Sequence, residues 1–149
     1  MKAVLVFALL AGAYAAWLHP ASTVALVSER SATPRESRIP VGGADLYSRE
    51  VGQGTPIIVL HGGPDFDHSY LLPELDRLSD SFRLIYYDQR GRGQSADGVQ
   101  PEDVTLASDI ADLERLRQYF ELDLVVLLGH SRGTVLALEY ALRGVPAPG

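Results

Sequence analysis

Three short runs of mainly apolar residues constrain the fold of this chain most. They cover residues 56–60, 83–87 and 124–128 and show no regular polar alternation. Strands buried on both faces of a parallel sheet have this continuous pattern, because helices cover each side of such a sheet. Segments with the apolar spacing of helices lie between the runs. The alternation predicts an α/β fold, a mostly parallel sheet flanked by helices.

Three segments have the residue pattern of helices. Residues 69–79 carry leucines three and four positions apart, and residues 132–142 precede the helix-stopping Gly144. Residues 105–120 give the clearest pattern, with Thr105 as the N-cap. Two acidic residues near the start of this helix, Asp109 and Asp112, would lie close to the positive end of its dipole. Its predicted buried face consists of Ala107, Ile110, Ala111, Leu113, Leu116 and Phe120.

A hairpin is predicted ahead of the sheet. Residues 38–41 and 44–51 are joined by Gly42-Gly43, and paired glycines between two such runs favour a tight turn. With this hairpin the chain would have five strands at most. The run at 124–128 would then keep one edge unpaired, an arrangement that promotes aggregation.

The N-terminal segment has the features of an export signal. After Lys2 no charged residue occurs before Glu29, and Ala13-Tyr14-Ala15 has the small-x-small form of a cleavage site. An uncleaved membrane anchor is the alternative, although the apolar run of about 16 residues is shorter than the roughly 20 that span a bilayer. A buried core helix is a third interpretation. We expect a signal peptide or anchor over 1–25, a linker over 26–37 and a folded domain over 38–149. The protein would be exported, either secreted or periplasmic, or else anchored in a membrane.

The strongest chemical signal is Gly129-His130-Ser131-Arg132-Gly133, which follows an apolar run and opens a helix. A serine in a sharp turn from strand to helix has a strained backbone and an outward-pointing hydroxyl. Gly129 and Gly133 would relieve crowding where the chain reverses direction. The N–H groups that begin the helix favour developing negative charge. This pattern predicts that Ser131 is a nucleophile.

A second motif, His61-Gly62-Gly63-Pro64, follows another apolar run. A glycine-rich turn at this position can bring a backbone N–H group close to a substrate oxygen. We expect the N–H groups of Gly63 and Arg132 to form an oxyanion hole, since Pro64 has no N–H group. His61, Gly62 and Pro64 would support the turn. A plain tight turn without catalytic meaning is the alternative.

A third motif covers residues 88–95, with the sequence DQRGRGQS. We interpret it as a structural loop in which Asp88 and Arg90 brace the neighbouring turns. The Gly-x-x-x-x-Gly-Lys-Ser/Thr pattern of phosphate-binding loops does not occur in the sequence, and no helix is predicted directly after these glycines.

In this order, HGGP, DQRGRGQS and GHSRG resemble the α/β-hydrolase superfamily, and most of all the proline-iminopeptidase-like serine hydrolases. The resemblance covers roughly residues 38–142. It implies the N-terminal half of an α/β-hydrolase fold and attack by Ser131 on a small-molecule ester, amide or short peptide. Two positions depart from that subgroup. Asp65 stands where the subgroup usually has glycine, and Arg132 where it often has an aromatic or another bulky residue.

The triad acid and histidine are missing after the nucleophile. In the superfamily they follow the serine in the chain, but only Glu139 and no histidine occur after Ser131. His61 would brace its turn, His68 would lie on a connecting segment that could reach the surface, and His130 should point away from its neighbour. His19 belongs to the export segment. We therefore expect a truncated hydrolase domain, incomplete at its C-terminus, with almost no activity by itself. A non-catalytic fragment or pseudoenzyme, and one half of a split hydrolase, stay open as alternatives.

Composition excludes several other classes of function. The net charge of -6 gives no support for binding nucleic acid. With no cysteine, the chain has no disulfide, thiolate metal site or cysteine nucleophile. We expect no cofactor and no metal site, and contact with a membrane only if the N-terminal segment is an uncleaved anchor. The pattern leaves the oligomeric state open.

Two interpretations stay open for the Arg132 side chain. It would either favour acidic substrates, or face solvent or pair with a nearby carboxylate.

Overall fold

The computed structural model describes residues 33–143 in full and residues 4–9 by their backbone. Within these residues, six strands form one sheet and two α-helices pack on it. Helix α1 covers Leu106–Tyr119 and helix α2 covers Arg132–Arg143. The strands are β1 (Val4–Leu9), β2 (Arg35–Pro40), β3 (Asp45–Val51), β4 (Thr55–Leu60), β5 (Phe82–Tyr87) and β6 (Val125–His130).

The sheet has the strand order β1-β6-β4-β5-β3-β2. Strands β1, β6, β4 and β5 are mutually parallel, while β3 pairs antiparallel with both β5 and β2. The predicted α/β fold, a mostly parallel sheet preceded by a hairpin, is therefore confirmed. The carboxyl ends of β4, β5 and β6 lie along one edge of the sheet because these strands run parallel, and each is followed by one of the three motifs.

One sequence-based expectation about the sheet is wrong. The apolar runs predict an unpaired edge for the strand at 124–128, in a sheet of five strands or fewer. Instead, β1 pairs with β6 in parallel from Val4 opposite Val125 to Leu9 opposite His130. The same apolar composition that marks an export segment also suits a strand at the edge of a sheet. The rest of the predicted export segment, residues 1–3 and 10–25, lies outside the described residues. The predicted linker ends too late, because β2 already begins at Arg35.

Two apolar clusters lie on opposite faces of the sheet. On one face α1 and α2 pack against alternate residues of the central strands, such as Ile58 and Leu60. On the other face Ile57 and Val59 pack against the segment between β4 and β5. The leucine spacing predicts one helix over 69–79, but the segment forms two short 3₁₀ helices, His68–Leu71 and Leu75–Asp80. Pro73 lies between them and interrupts the helical hydrogen bonding that the leucine spacing alone suggests.

Helix α1 matches its predicted range and N-cap. The Thr105 side chain accepts a hydrogen bond from the Ser108 N–H group, and the Ser108 side chain accepts one from the Thr105 N–H group. Of the predicted apolar face, Ile110, Leu113 and Leu116 are buried and Phe120 is half-buried, whereas both alanines are exposed. No helix within residues 33–143 is long and apolar enough to cross a membrane.

Candidate active site

Ser131 occupies a one-residue turn between β6 and α2. Its φ is 52°, in the left-handed region that side chains with a Cβ disfavour, and the residue is exposed. Its carbonyl oxygen accepts a hydrogen bond from the Thr134 N–H group at 2.9 Å. The strained turn therefore presents Ser131 to solvent at the carboxyl end of a central strand.

The two glycines of the same motif are required by close backbone packing. A Cβ atom on Gly133 would lie 2.1 Å from the carbonyl oxygen of Leu60, and one on Gly129 would lie 2.7 Å from the Gly133 carbonyl. Both distances are far shorter than van der Waals contact. Helix α2 can therefore begin directly against the end of β4 only because both positions lack a side chain.

The loop that follows β4 lies against this turn. A Cβ atom on Gly62 would lie 3.2 Å from the Ser131 Cβ, and one on Gly63 would lie 3.9 Å from the Arg132 Cδ. Among the described residues, the N–H groups of Gly63 and Arg132 have no hydrogen-bond acceptor. The structure thus brings together the residues predicted for the nucleophile and for both oxyanion donors. Pro64 is exposed, and its carbonyl oxygen accepts a hydrogen bond from Arg92 Nε.

His61 is fully buried and holds the start of this loop. The Gln89 N–H group donates to His61 Nε2 at 3.0 Å, so Nδ1 carries the proton and donates to the Gly62 carbonyl at 2.6 Å. The Gln89 side chain donates in turn to the His61 carbonyl at 2.8 Å. Burial lowers the pKa of His61 and outweighs the hydrogen bond to Gly62. A neutral His61 therefore fastens the loop after β4 to the loop after β5.

Asp88 is the centre of a second set of contacts. One carboxylate oxygen accepts hydrogen bonds from the backbone and the ring of His68, at 3.0 and 2.7 Å, and the other accepts from the Gln94 N–H group. Burial tends to raise the pKa of Asp88, but these hydrogen bonds outweigh it and the pKa lies below its ordinary value. The expectation that His68 could lie at the surface is wrong: it is 5% exposed and pairs with Asp88.

Two buried arginines extend from the third motif to helix α1. Arg90 forms two hydrogen bonds with the Asp112 carboxylate, at 2.7 and 2.8 Å, and a third with the Gly42 carbonyl of the hairpin turn. Arg92 pairs with Asp109 at 2.9 Å. The acidic residues that we expected to complement the helix dipole therefore act mainly as buried partners of arginine. Aspartates on the apolar face of a helix could have signalled this, because buried charges require partners.

The Arg132 side chain shares the carboxylate of Asp109 at 3.1 Å. The side chain therefore pairs with a nearby carboxylate, as one of the two interpretations expected, while a preference for acidic substrates stays a prediction. Arg132 is about one third exposed, whereas Asp109 is buried. Because Arg92 and Arg132 share one carboxylate, some positive charge is left beside Ser131.

Three possible metal ligands, Asp67, His68 and Asp88, place one ligand atom each within 4.8 Å of one another. Four of their possible ligand atoms already serve in hydrogen bonds. Both oxygens of Asp88 accept N–H groups, and Asp67 Oδ1 accepts the Ser69 N–H at 2.8 Å. The cluster is therefore explained as a hydrogen-bonded support for the loops.

The described histidines are bonded to groups other than Ser131. His61 and His68 have the partners given above, and His130 Nδ1 lies 2.7 Å from the Tyr70 hydroxyl. That hydroxyl also accepts a hydrogen bond from the Gly62 N–H group at 2.7 Å. The sequence did not reveal the roles of Tyr70 and Gln89. Tyr70 lies outside the three glycine motifs, and Gln89 lies in the third motif between Asp88 and Arg90, the two residues expected to brace the turns. His19 lies outside the described residues.

Comparison with known proteins agrees with this architecture. The family model for the alpha/beta hydrolase fold matches residues 55–148. The proline iminopeptidase of Saccharolobus solfataricus is 42% identical over 99 residues, which cover 66% of this chain and 32% of that protein. The proline iminopeptidase of Heyndrickxia coagulans is 45% identical over 96 residues, covering 62% and 32% respectively.

A solved structure gives the same result. The proline iminopeptidase-related protein of Thermus thermophilus is 34% identical, with a TM-score of 0.69 over 74% of this chain and 41% of that one. The chain spans about a third of the length of these curated relatives. The ordered strands, the turn at Ser131 and the extent of the family match together show that the chain belongs to the alpha/beta hydrolase fold family.

Proposed function

We propose that this chain is the nucleophile-bearing part of a serine hydrolase that acts on an ester or amide. The observation that carries the proposal is the left-handed, exposed position of Ser131 between β6 and α2. The loop containing Gly62 and Gly63 packs directly against it. Such a turn suits a nucleophile because the hydroxyl is accessible and the first N–H groups of a helix lie beside it.

The reaction would be acyl transfer. Ser131 Oγ forms a bond to the substrate carbonyl carbon, and the carbonyl π electrons move to the oxygen. The Gly63 and Arg132 N–H groups would stabilise that oxyanion by hydrogen bonds. The oxyanion electrons then re-form the carbonyl and the bond to the leaving group breaks, with the leaving group taking the proton that the base had accepted from Ser131. Water adds to the acyl carbon in the same way, and the bond to Ser131 Oγ breaks to release the acid and restore the hydroxyl. A base must first accept the hydroxyl proton, since a serine hydroxyl is a weak nucleophile at neutral pH.

That base and its supporting carboxylate would come from polypeptide beyond these residues. After Ser131 the sequence has Glu139 and no histidine, and Glu139 lies on α2 with Arg143 as its partner. Loss of the base and acid lowers turnover by a factor on the order of 10⁶. We therefore expect almost no turnover from the 149 residues alone.

The substrate class is inferred from the relatives and the site. Relatives named proline iminopeptidase support a short peptide or a small ester or amide as substrate. Asp65 directly follows the HGGP motif in the chain and Arg132 directly follows Ser131, so these positions add one carboxylate and one guanidinium. These charges differ from the subgroup pattern, so a substrate preference of its own is expected for this chain.

A fluorophosphonate probe tests the proposal, because it labels activated serines. We expect Ser131 to be labelled when the chain is extended by its natural downstream reading frame, with Ser131→Ala unlabelled. Exposed Ser81 provides the matched control, since Ser81→Ala should leave labelling unchanged. If the extended protein is not labelled at Ser131, the non-catalytic alternative is correct. Labelling that appears only after a second polypeptide is added would indicate a split hydrolase.

We also infer that residues 1–25 direct export, as a cleaved signal or an anchor, from their apolar composition and the single charge at Lys2. The pairing of β1 with β6 uses part of this segment. Mass spectrometry of the protein purified from its native host separates the possibilities. A mature chain that begins near residue 16 or 26 supports cleavage, whereas an intact N-terminus in the membrane fraction supports an anchor. An intact chain outside membranes, within the cytoplasm, would refute export.

A further inference from the structure

The Tyr70 hydroxyl joins the two loops that form the candidate site. It accepts a hydrogen bond from the Gly62 N–H group and lies within hydrogen-bond distance of His130 Nδ1, both at 2.7 Å. Gly62 belongs to the loop after β4, while His130 ends β6 and precedes Ser131. A hydroxyl group on a third segment, the 3₁₀ helix at residues 68–71, thus connects them.

The direction of these hydrogen bonds follows from the donors available. The Gly62 N–H group can only donate, so the Tyr70 oxygen is the acceptor of that bond. The single proton of the hydroxyl is then free to be donated to His130 Nδ1. This assigns the Nε2–H tautomer to a neutral His130, which is the opposite of the tautomer that Gln89 and Gly62 impose on His61.

The tyrosine ring is also held in place. It packs edge-on against the His130 ring with centroids 5.4 Å apart, and against the Phe66 ring at 5.5 Å. Burial raises the pKa of Tyr70, with the Gly62 hydrogen bond acting in the opposite direction, so the hydroxyl stays protonated at neutral pH. A protonated hydroxyl can serve as acceptor and donor at the same time.

We propose that Tyr70 is a positioning residue, whose hydroxyl fixes the Gly62–Gly63 loop against the turn that carries Ser131. Because the Gly62 N–H group is occupied, the Gly63 N–H group is the free donor of the two glycines. Of the two glycine N–H groups, only that of Gly63 can then be presented to a substrate oxygen. A pre-oriented donor stabilises an oxyanion better than one that must reorganise during the reaction. This role rests on the proposed hydrolase function.

Tyr70→Phe tests the role, because it removes only the hydroxyl and retains the ring contacts. Tyr119→Phe is the matched control, since Tyr119 is also exposed and its ring contacts Phe120 at the end of α1. In the ¹⁵N-labelled chain, we expect the Gly62 amide to exchange with solvent about threefold to tenfold faster in Tyr70→Phe, the effect of one lost hydrogen bond. Tyr119→Phe should leave this rate unchanged.

The His130 ring gives a second spectroscopic signature. Two-bond ¹H–¹⁵N spectra at pH 8 should show His130 as the Nε2–H tautomer in the unmodified chain and as a mixture in Tyr70→Phe. A residue that acts only by packing would change neither the tautomer nor the Gly62 exchange rate. If both are unchanged in Tyr70→Phe, the proposal is overturned.

Labelling kinetics then separate this proposal from the hydrolase proposal. If the extended protein is labelled at Ser131, Tyr70→Phe should slow labelling about threefold to tenfold. Equal rates in the two proteins would overturn the positioning role. If no form is labelled, the hydrolase proposal and any catalytic purpose of the Tyr70 bond fail together. Faster Gly62 exchange in Tyr70→Phe would in that case still show that the hydroxyl holds the loop.

Discussion

The support beneath the candidate site and its reactive surface differ in how completely they are built. Below the site, His61, Asp88, Arg90 and Asp109 are buried, and each forms at least two hydrogen bonds. At the surface, Ser131 is exposed and its side chain forms no hydrogen bond with the described residues. The difference teaches that the buried contacts of the support are complete within the described residues. The proposed reaction would need further groups that the described residues do not place near Ser131.

The largest effect is expected from removing a buried charge of the support. In Asp112→Ala, Arg90 would keep a buried guanidinium without its carboxylate partner. Breaking a buried pair in this way costs about 3–5 kcal/mol. The control is Glu139→Ala, which breaks the exposed pair with Arg143 and should change the free energy of unfolding by about 0.5 kcal/mol or less. Urea unfolding of both variants measures the difference, and equal losses would contradict the distinction between support and surface.

A slightly smaller effect is expected where α2 begins against β4. In Gly133→Ala the new Cβ atom would meet the Leu60 carbonyl oxygen at 2.1 Å, and neither backbone can move far within the packed sheet. We expect a loss of about 3 kcal/mol. Gly98→Ala is the comparison variant, because Gly98 has a φ of 73° but nothing within 4 Å of a new Cβ atom. Backbone strain alone should cost about 1–2 kcal/mol there. Thermal unfolding measures both, and a larger loss in Gly98→Ala would refute the packing argument.

Acid should weaken the support in two separate pH ranges. The folded pKa of His61 is lowered, so the unfolded chain binds a proton from about pH 6.5 downward while the folded chain does not. Stability is therefore complete above that pH and falls as the pH decreases, by at most about 1.4 kcal/mol per pH unit. The folded pKa of Asp88 is also lowered, so its contribution is lost only below about pH 4.

Two variants separate these ranges. His61→Gln should abolish the loss that begins at about pH 6.5, and Asp88→Asn should abolish the one that begins at about pH 4. The free energy of unfolding, measured by urea titration at each pH, decides between them. If His61→Gln keeps the full slope near pH 6, the buried neutral state of His61 is not its source.

Most of the fold could be predicted from the sequence, because the position of apolar residues along the chain depends mainly on burial. The runs ending at Leu60, Tyr87 and Leu128 mark three central strands, and each lies within two residues of its observed end. Thr105 marked the start of α1 because an N-cap is a local signal. The prediction of one helix over 69–79 was wrong because Pro73, which is also a local signal, divides that segment.

Contacts between distant segments could not be predicted in the same way. The apolar residues at 4–9 are compatible with an export signal and with a strand, and their pairing with β6 could not be read from the sequence. His68 and Asp88 are 20 positions apart, and Tyr70 and His130 are 60 apart. No spacing rule connects such pairs. The glycine motifs located the turns of the candidate site, but the side chains that hold the turns required coordinates.

The smallest effect concerns Ser131 itself and tests whether the reactive surface is strained. Two non-glycine residues among those described have a positive φ, Ser131 at 52° and Glu121 at 54°. A left-handed backbone costs a residue with a Cβ atom about 1–2 kcal/mol, whereas glycine loses about 0.5–1 kcal/mol of additional chain entropy on folding. Ser131→Gly should therefore raise the free energy of unfolding by about 0.5 kcal/mol, and Glu121→Gly by a similar amount.

The two glycine variants should differ in their effect on labelling, although their effects on stability are similar. Glu121 follows the C-terminus of α1 and belongs to none of the three motifs, so relief of its strain should leave fluorophosphonate labelling of the extended protein unchanged. Ser131→Gly should gain the same stability and lose all labelling at that position. A destabilised Ser131→Gly beside a stabilised Glu121→Gly would mean that the serine side chain supports its own turn. In that case, exposure of a nucleophile would not explain the left-handed conformation of Ser131.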